Sequence, residues 1–369
     1  MFLVRSFDGG ATVQDILEIE HQQNGVAWLP SLEMDDLGNP HIIYMGHDQN
    51  WTNPHYYLLH SNDLGALFSV AQNITTSIPE EACDCCPAEL VLSENKQVLL
   101  YRNNNQNLRD IFGVYSNDNG QNFSSSTNLE SLDWLVMSCP STAPDGIIIQ
   151  DTLWSVSASK ASGSYRIYLS KASLNSQIVP LYTDTLLGPS QQSGNQNHPR
   201  IKASSEYIAV TWHENAGTNY DVFVAVAPSN QPLALYDSKI NVSENLSGNQ
   251  IYSDVAVLGN KIHLVYQDNS TGSVIYRSGT INLTNQLNNT NQSMLTLLPN
   301  PVSDICNVSA SSPIKRIRLF DQSGKYLATY HFNGKQATEQ LHLHLLQAGS
   351  YFILIETNSG QEKLSFMKI

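Results

Sequence analysis

Ser61-Asn62-Asp63-Leu64-Gly65-Ala66-Leu67-Phe68 and Ser116-Asn117-Asp118-Asn119-Gly120-Gln121-Asn122-Phe123 share the pattern S-x-D-x-G-x-x-F. Ser6-Phe7-Asp8-Gly9-Gly10-Ala11-Thr12-Val13 keeps the same frame, with Val in place of the aromatic residue. Ser and Asp side chains bond nearby backbone N–H groups, and Gly takes the positive-φ position. Each segment therefore reads as a hairpin turn whose aromatic residue plugs between strands.

Outward from these turns, helical periodicity is hard to find. The apolar runs are short, such as His41-Ile42-Ile43-Tyr44-Met45, Val98-Leu99-Leu100-Tyr101, Tyr207-Ile208-Ala209-Val210-Thr211-Trp212 and Lys261-Ile262-His263-Leu264-Val265-Tyr266. Rich in β-branched and aromatic residues and bounded by Gly, Asn, Asp or Pro, they read as strands. The strands recur in order behind a short lead: Leu29-Pro30, Cys86-Pro87, Cys139-Pro140, His198-Pro199 and Tyr252-Ser253, at spacings of 57, 53, 59 and 54 residues. Repeats of ~50 residues with about four strands each are the signature of propeller blades. Five full units fit between Pro30 and Ile281. The turn at Ser6 belongs near the end of a further blade, which makes six. The chain is thus expected to begin inside that first blade, its inner strands missing or supplied from elsewhere. Met1-Phe2-Leu3-Val4-Arg5 lacks the apolar core of a signal peptide, so Met1 reads as an internal start.

The three turns, each late in a unit of about 55 residues, resemble the Asp-box (BNR repeat) of sialidase-like β-propellers. That resemblance implies an all-β, six-bladed propeller over residues 1–281. The segment 282–293 is Asn-rich and uncharged, and reads as a linker.

Residues 294–369 alternate short strands with Gly and Asn turns, which reads as a small antiparallel sandwich. Their motifs run Pro299-Asn300-Pro301-Val302-Ser303-Asp304, then Leu319-Phe320-Asp321-Gln322-Ser323-Gly324-Lys325, then Gly349-Ser350-Tyr351-Phe352, and close on Lys368-Ile369. This order resembles the type IX secretion system C-terminal sorting domain of Bacteroidetes, an Ig-like fold. It implies the secretion machinery as a partner, acting through residues 294–369, and a secreted or outer-membrane-surface destination. Cys306 stands where that family has an apolar residue, and reads as core.

The 369 residues carry only 14% charged side chains and a net charge of −14. The sorting segment is slightly basic, with 7 Lys and Arg against 5 Asp and Glu, so the acidity belongs to the propeller. That balance excludes a nucleic-acid partner, because phosphate contacts need clustered Lys and Arg. No run of ~18 apolar residues is present, so no transmembrane helix is expected.

In a propeller, the connections into the innermost strands and the loops between second and third strands share one face. The Asp-box turns lie on the other. Cys86, Cys139, His198 and Tyr252 are thereby expected around the mouth of the central channel. Export favours disulfides among Cys83, Cys85, Cys86 and Cys139. A copper or zinc site made from these thiolates and His198 is a second reading, with no cofactor ahead of it. A reactive thiol cluster is a third. The segment Cys83-Asp84-Cys85-Cys86-Pro87, with Arg102, Arg109-Asp110, Trp134 and Cys139-Pro140, resembles a subset of bacterial sialidase-like propellers without assigned activity.

The same face is expected to gather His47, Asp48, His213 and Asp268 as ligand-binding groups, with Asn103, Glu80 and Glu81 nearby. An extracellular glycan or small ligand fits such a mouth. The sialidase resemblance further implies arginines clamping a carboxylate and a Tyr nucleophile assisted by acids. The candidates are Arg102, Arg109, Arg200 or Arg277, with Tyr252, Glu214 and Asp110. The family's F/Y-R-I-P segment is not in this sequence. Against the catalytic reading, propeller mouths are generally polar. His342 and His344 read as surface residues, and Trp154 and Trp212 as core.

Overall fold

The computed structural model describes residues 1–19, 25–78, 81–188, 191, 194–215, 217–243, 247–282, 295–310, 312–322, 324–358 and 360–369. Its chain is all-β, and its sheets follow the sequence. β1 (Phe2–Arg5) and β2 (Gln14–Glu18) form a two-stranded ribbon. The first four-stranded sheet is β3 (Gly25–Met34), β4 (Pro40–Asp48), β5 (His55–His60) and β6 (Gln72–Asn73). The next holds β7 (Glu81–Ala82), β8 (Glu89–Ser93), β9 (Lys96–Asn104), β10 (Ile111–Ser116) and β11 (Thr127–Asn128).

Two further four-stranded sheets follow: β12 (Asp145–Ile149) to β13 (Thr152–Ser159), β14 (Arg166–Leu174) and β15 (Ile178–Thr185), then β16 (Gln196–Ala203) to β17 (Tyr207–Asn215), β18 (Tyr220–Pro228) and β19 (Ile240–Asn241). The last has three strands, β20 (Gln250–Leu258), β21 (Lys261–Asp268) and β22 (Ser273–Thr280). All pairings within these sheets are antiparallel, the up-and-down order of propeller blades.

Apolar residues alternate along the strands and fill the gaps between successive blades. Ile43, Met45 and Tyr56 meet Leu90, Leu99 and Val114. Val156, Ile167 and Leu169 meet Ile208, Val210 and Trp212. Val224 and Val226 meet Val255, Ile262 and Leu264. Trp154 and Trp212 are core, as expected. The other face of the last blade leaves Leu258, Val265, Val274 and Tyr276 exposed, and Leu32 and Met34 of β3 are also exposed.

The three S-x-D-x-G segments share one bonding scheme. The backbone N–H of Gly10, Gly65 and Gly120 donates to Ser6, Ser61 and Ser116 Oγ at 2.8–2.9 Å. Each Ser hydroxyl donates to the Asp two residues on, at 2.7–2.8 Å. Asp8, Asp63 and Asp118 in turn accept N–H bonds from the residue four ahead. Side-chain bonds from Thr12 and Asn122 hold Asp8 and Asp118 down to a pKa of about 2. The three glycines have φ of +78° to +89°, a region that L side chains strain to reach. Phe68 and Phe123 pack against the blades' apolar clusters.

The inner strands share a second device. Pairing shifts register between Trp28 and Ser31, Asn197 and Arg200, and Ile251 and Asp254. Each shift is a bulge that inserts a residue with positive φ: Leu29 (49°), His198 (52°) and Tyr252 (52°). In the β12 blade, Ser141 (φ 51°) takes the same conformation two residues after Cys139. Bulky side chains hold this conformation only where surrounding structure enforces it, and such strain collects at functional sites.

β23 (Thr296–Leu298), β24 (Ile305–Ser309) and β27 (Thr338–His342) form one sheet of the C-terminal domain. β25 (Ile314–Asp321), β26 (Tyr326–His331), β28 (Gly349–Thr357) and β29 (Gln361–Lys368) form the other. Leu297, Cys306, Val308, Ile317, Ile353 and Phe366 fill the space between them, so Cys306 is core. His342 and His344 are exposed. The four-stranded sheet rests on the propeller, where Phe320, Leu354, Tyr182 and Tyr236 cluster. Arg318 lies over the Tyr236 ring and is bonded to Tyr182 and Asp184.

Candidate functional site

The bulges of β16 and β20 carry His198 and Tyr252 to the start of adjacent inner strands. Their ring centroids lie 4.7 Å apart, edge to face. His213, near the end of β17, lies 5.1 Å from His198 and 5.8 Å from Tyr252, and Tyr220 lies 5.3 Å from His213. The Tyr252 backbone N–H donates to His213 Nδ1 at 3.3 Å, which fixes that nitrogen as an acceptor. Burial holds the His213 imidazole down to a pKa of about 3, with His198 beside it. Burial and then Arg200 bring His198 to about 4. Both rings are therefore neutral near pH 7. Tyr252 remains 55% exposed, so the four rings form a wall with one open member. On the opposite blade, Trp51 packs against Trp28 and His47 at centroid distances of 5.6 and 5.5 Å.

Beyond the bulges, the inner strands bring charged groups together. Lys202 of β16 reaches Glu33 of β3 at 3.6 Å and Asp145 of β12 at 3.7 Å. Two blades separate β16 from β3 in chain order, so the Lys202–Glu33 contact spans the central axis. Ser31 Oγ donates to Glu89 of β8 at 3.1 Å. Glu89, Asp145 and Arg200 interact electrostatically, as do Glu33 and Asp254.

Burial, and then the Asp145 charge, push the Glu89 carboxyl up to about 8. Burial raises Asp145 and Glu33 as well, against the pull of Lys202. Burial works against the Lys202 ammonium, but Asp145, Glu33 and Glu89 outweigh it and raise its pKa. The channel thus holds four carboxyl groups against two cations, with Glu89 able to carry a proton near neutral pH. The sequence reading named Arg200 here and missed Glu33, Glu89, Asp145 and Lys202. The available signal was a charge inside an otherwise apolar inner strand, as in Glu89-Leu90-Val91-Leu92 and Asp145-Gly146-Ile147-Ile148.

The four propeller cysteines are paired, Cys83 with Cys86 and Cys85 with Cys139. The second bridge ties the approach to β8 to the approach to β12. Arg109 Nη1 lies 3.0 Å from Cys83 Sγ and 3.9 Å from Cys85 Sγ. Reduced, Cys83, Cys85 and Cys86 would hold three sulfurs within 4.8 Å of one another, the only such group of His, Cys, Asp or Glu ligand atoms among the described residues. His198 does not join them as the ring reading expected; it packs against His213 and Tyr252.

Several expected site residues have partners inside the fold. Arg102 is fully buried, donates to the Arg109 and Ala158 carbonyls at 2.7 and 2.9 Å, and lies over Trp134. The clamp expected of it is replaced by a blade-to-blade tie. Asp110 accepts bonds from Asn128 and from the Asp133 and Trp134 backbone. Glu214, fully buried, accepts from Gly194 N, Gln196 Nε2, Trp212 Nε1 and Lys239 Nζ at 2.9–3.1 Å. Asp48 and Asp268 close loops by bonding Thr52 and Ser270. The Ser270 hydroxyl, with backbone and side-chain bonds, brings Asp268 to a pKa of about 2. Asn103 accepts the Asp110 backbone N–H at 3.0 Å, and Arg277 Nε reaches the Tyr266 hydroxyl at 3.4 Å. Glu81 pairs with Asn104 in the short β7–β9 ladder, and Glu80 lies outside the described residues.

Residues 296–368 match the family described as the secretion system C-terminal sorting domain. No curated protein matches the chain. Among solved structures, the chain is similar to a Penicillium chrysogenum alpha-L-arabinanase complexed with arabinobiose (14% identity, TM-score 0.48, covering 76% of this chain and 84% of that one). It is also similar to an alpha-L-arabinofuranosidase from Fusarium graminearum in complex with an iminosugar inhibitor (9%, 0.45, 77% and 88%). A third is a Bombyx mori GH32 beta-fructofuranosidase (13%, 0.40, 93% and 86%).

Proposed function

We propose that this is an exported propeller that binds a carbohydrate at the axial mouth, sent out through its C-terminal sorting domain to the cell surface or medium. The observation that carries the reading is the wall of His198, His213, Tyr220 and Tyr252 beside Arg200 and the channel carboxyls. Flat rings offer apolar area to the C–H faces of a sugar. Neighbouring carboxyl, guanidinium and ammonium groups offer acceptors and donors to its hydroxyls, the mix expected of a small-ligand site. Neutral imidazoles and strained bulges hold that wall in one arrangement. A glycan array probed with the full chain tests it. Tyr252→Ala is expected to lose the strongest signals by at least tenfold. A chain that binds no glycan, or a variant that binds all of them equally well, overturns the reading.

Glu89 favours a second reading, a glycoside hydrolase. Its carboxyl keeps a proton up to about pH 8 beside Asp145. A protonated acid beside a second carboxyl group is the pairing that glycoside cleavage uses, one protonating the leaving oxygen and the other acting as base or nucleophile. The sialidase version is less supported, since Arg102 is committed to backbone carbonyls. Hydrolysis of a panel of aryl glycosides by wild type, abolished in Glu89→Gln with binding retained, would establish the enzyme. No turnover on any of them leaves binding alone.

A further inference from the structure

The four cysteines at the mouth do more than staple loops. Cys139 is exposed, Cys85 is half-buried, and Cys83 and Cys86 are fully buried. The two bridges are in touch: Cys83 Sγ and Cys85 Sγ, which belong to different disulfides, lie 3.7 Å apart. Arg109 reaches both of these sulfurs, and the Ser141 hydroxyl lies 3.0 Å from Cys139 Sγ. A guanidinium beside a sulfur stabilises its thiolate, the form that both attacks and leaves in exchange.

We propose that Cys83, Cys85, Cys86 and Cys139 form a thiol–disulfide exchange centre that accepts electrons from an extracellular dithiol. One thiolate of the dithiol attacks exposed Cys139 Sγ. The Cys85–Cys139 bond breaks and Cys85 leaves as a thiolate beside Arg109. The second thiol of the dithiol attacks the mixed disulfide on Cys139, freeing Cys139 as a thiol and releasing the oxidised partner. Cys85 then attacks Cys83 Sγ, 3.7 Å away. The Cys83–Cys85 bond forms, the Cys83–Cys86 bond breaks, and Cys86 leaves with the electron pair and takes a proton from solvent. The dithiol is oxidised by two electrons and the protein reduced by two. The last transfer moves a disulfide from the buried pair to the half-buried sulfur without further redox change. Arg109 is a positioning residue for the Cys85 thiolate.

The test is acid trapping, alkylation and peptide mapping of the full chain after treatment with one equivalent of dithiothreitol. The expected labels are Cys139 and Cys86, with Cys83 and Cys85 joined. Labels confined to Cys139 and Cys85, or no reduction of the folded chain, overturn the proposal. Arg109→Met is expected to slow reduction at pH 7 by at least tenfold, and an unchanged rate counts against the thiolate role. Cys139→Ser gives a check without added thiol: its one free propeller thiol should distribute between Cys85 and Cys86. A label found wholly on Cys85 shows that the two pairs do not exchange. The acid-trapped chain is alkylated in denaturant so that buried Cys86 is reached, and Cys306, free and buried in the fold, takes label in every sample as the internal reference.

Discussion

Replacing Glu214 with Ala separates a structural carboxylate from a site carboxylate. Glu214 sits with no exposure and, among the described residues, accepts four hydrogen bonds at 2.9–3.1 Å, one from the Lys239 ammonium. Each bond to a charged group contributes about 1.5–3 kcal/mol. The four do not add, because the released donors find other partners in part. Removing one member of a buried pair costs about 3–5 kcal/mol, since the remaining charge is left uncompensated. An unfolding entropy of about 2.1 cal/mol/K per residue gives about 0.6 kcal/mol/K for a propeller of this size. The melting temperature should therefore fall by about 5–8 °C. Denaturant unfolding and thermal melting read the stability, and glycan titration well below the melting point reads the site. Binding should be unchanged. A variant of nearly wild-type stability that no longer binds would refute the assignment and return Glu214 to the mouth.

Three further outcomes follow from the same geometry. The Cys85–Cys139 bridge closes a loop across 54 residues of sequence. In the chain-entropy model, Cys85→Ala with Cys139→Ala should cost about 4 kcal/mol in denaturant unfolding, and a loss under about 1 kcal/mol would refute the tie between blades. The Glu89 carboxyl has a folded-state pKa raised to about 8 from 4.5, so its contribution to stability is complete below pH 4.5 and is lost as pH rises towards 8. Wild type should lose stability relative to Glu89→Gln between pH 5 and 8, and parallel profiles would contradict the buried proton. His198 and His213 are depressed to about 4 and about 3, so their contribution is complete above pH 6.5 and lost as pH falls. His198→Asn should show a shallower acid limb in thermal melts, and an identical limb would place that imidazole in solvent.

The blades were legible because their signals are local. A Ser, an Asp and a Gly at fixed offsets determine a turn through bonds within five residues, and β-branched runs of four to six residues determine the strands. The sorting domain was legible for the same reason, with motifs that each span one turn. Cys306 could be placed in its core because a small apolar sulfur needs no polar partner. The site was less legible. Arg102, Asp110 and Glu214 look like mouth chemistry in the sequence, yet their partners, such as the Ala158 carbonyl and Lys239, come from distant strands. Glu33, Glu89 and Asp145 were passed over because each is a single charge in an apolar strand, and Lys202 because it stands two residues from Arg200 in a polar one. Only the convergence of the inner strands β3, β8, β12 and β16 brings them within reach of one another. The bulges at His198 and Tyr252 supply the remaining link. Both were singled out as strand leads, but the positive φ that sets them against His213 is a property of the paired sheet.

The most direct measurement is a crystal structure of the chain with the strongest-binding oligosaccharide from the array. A sugar ring is expected against Tyr252 and His198, with its hydroxyls within about 3.2 Å of Arg200 or the channel carboxyls, a hydrogen-bond distance. A sugar bound on the face of the S-x-D-x-G turns or on the sorting domain, with the axial mouth empty, would contradict it.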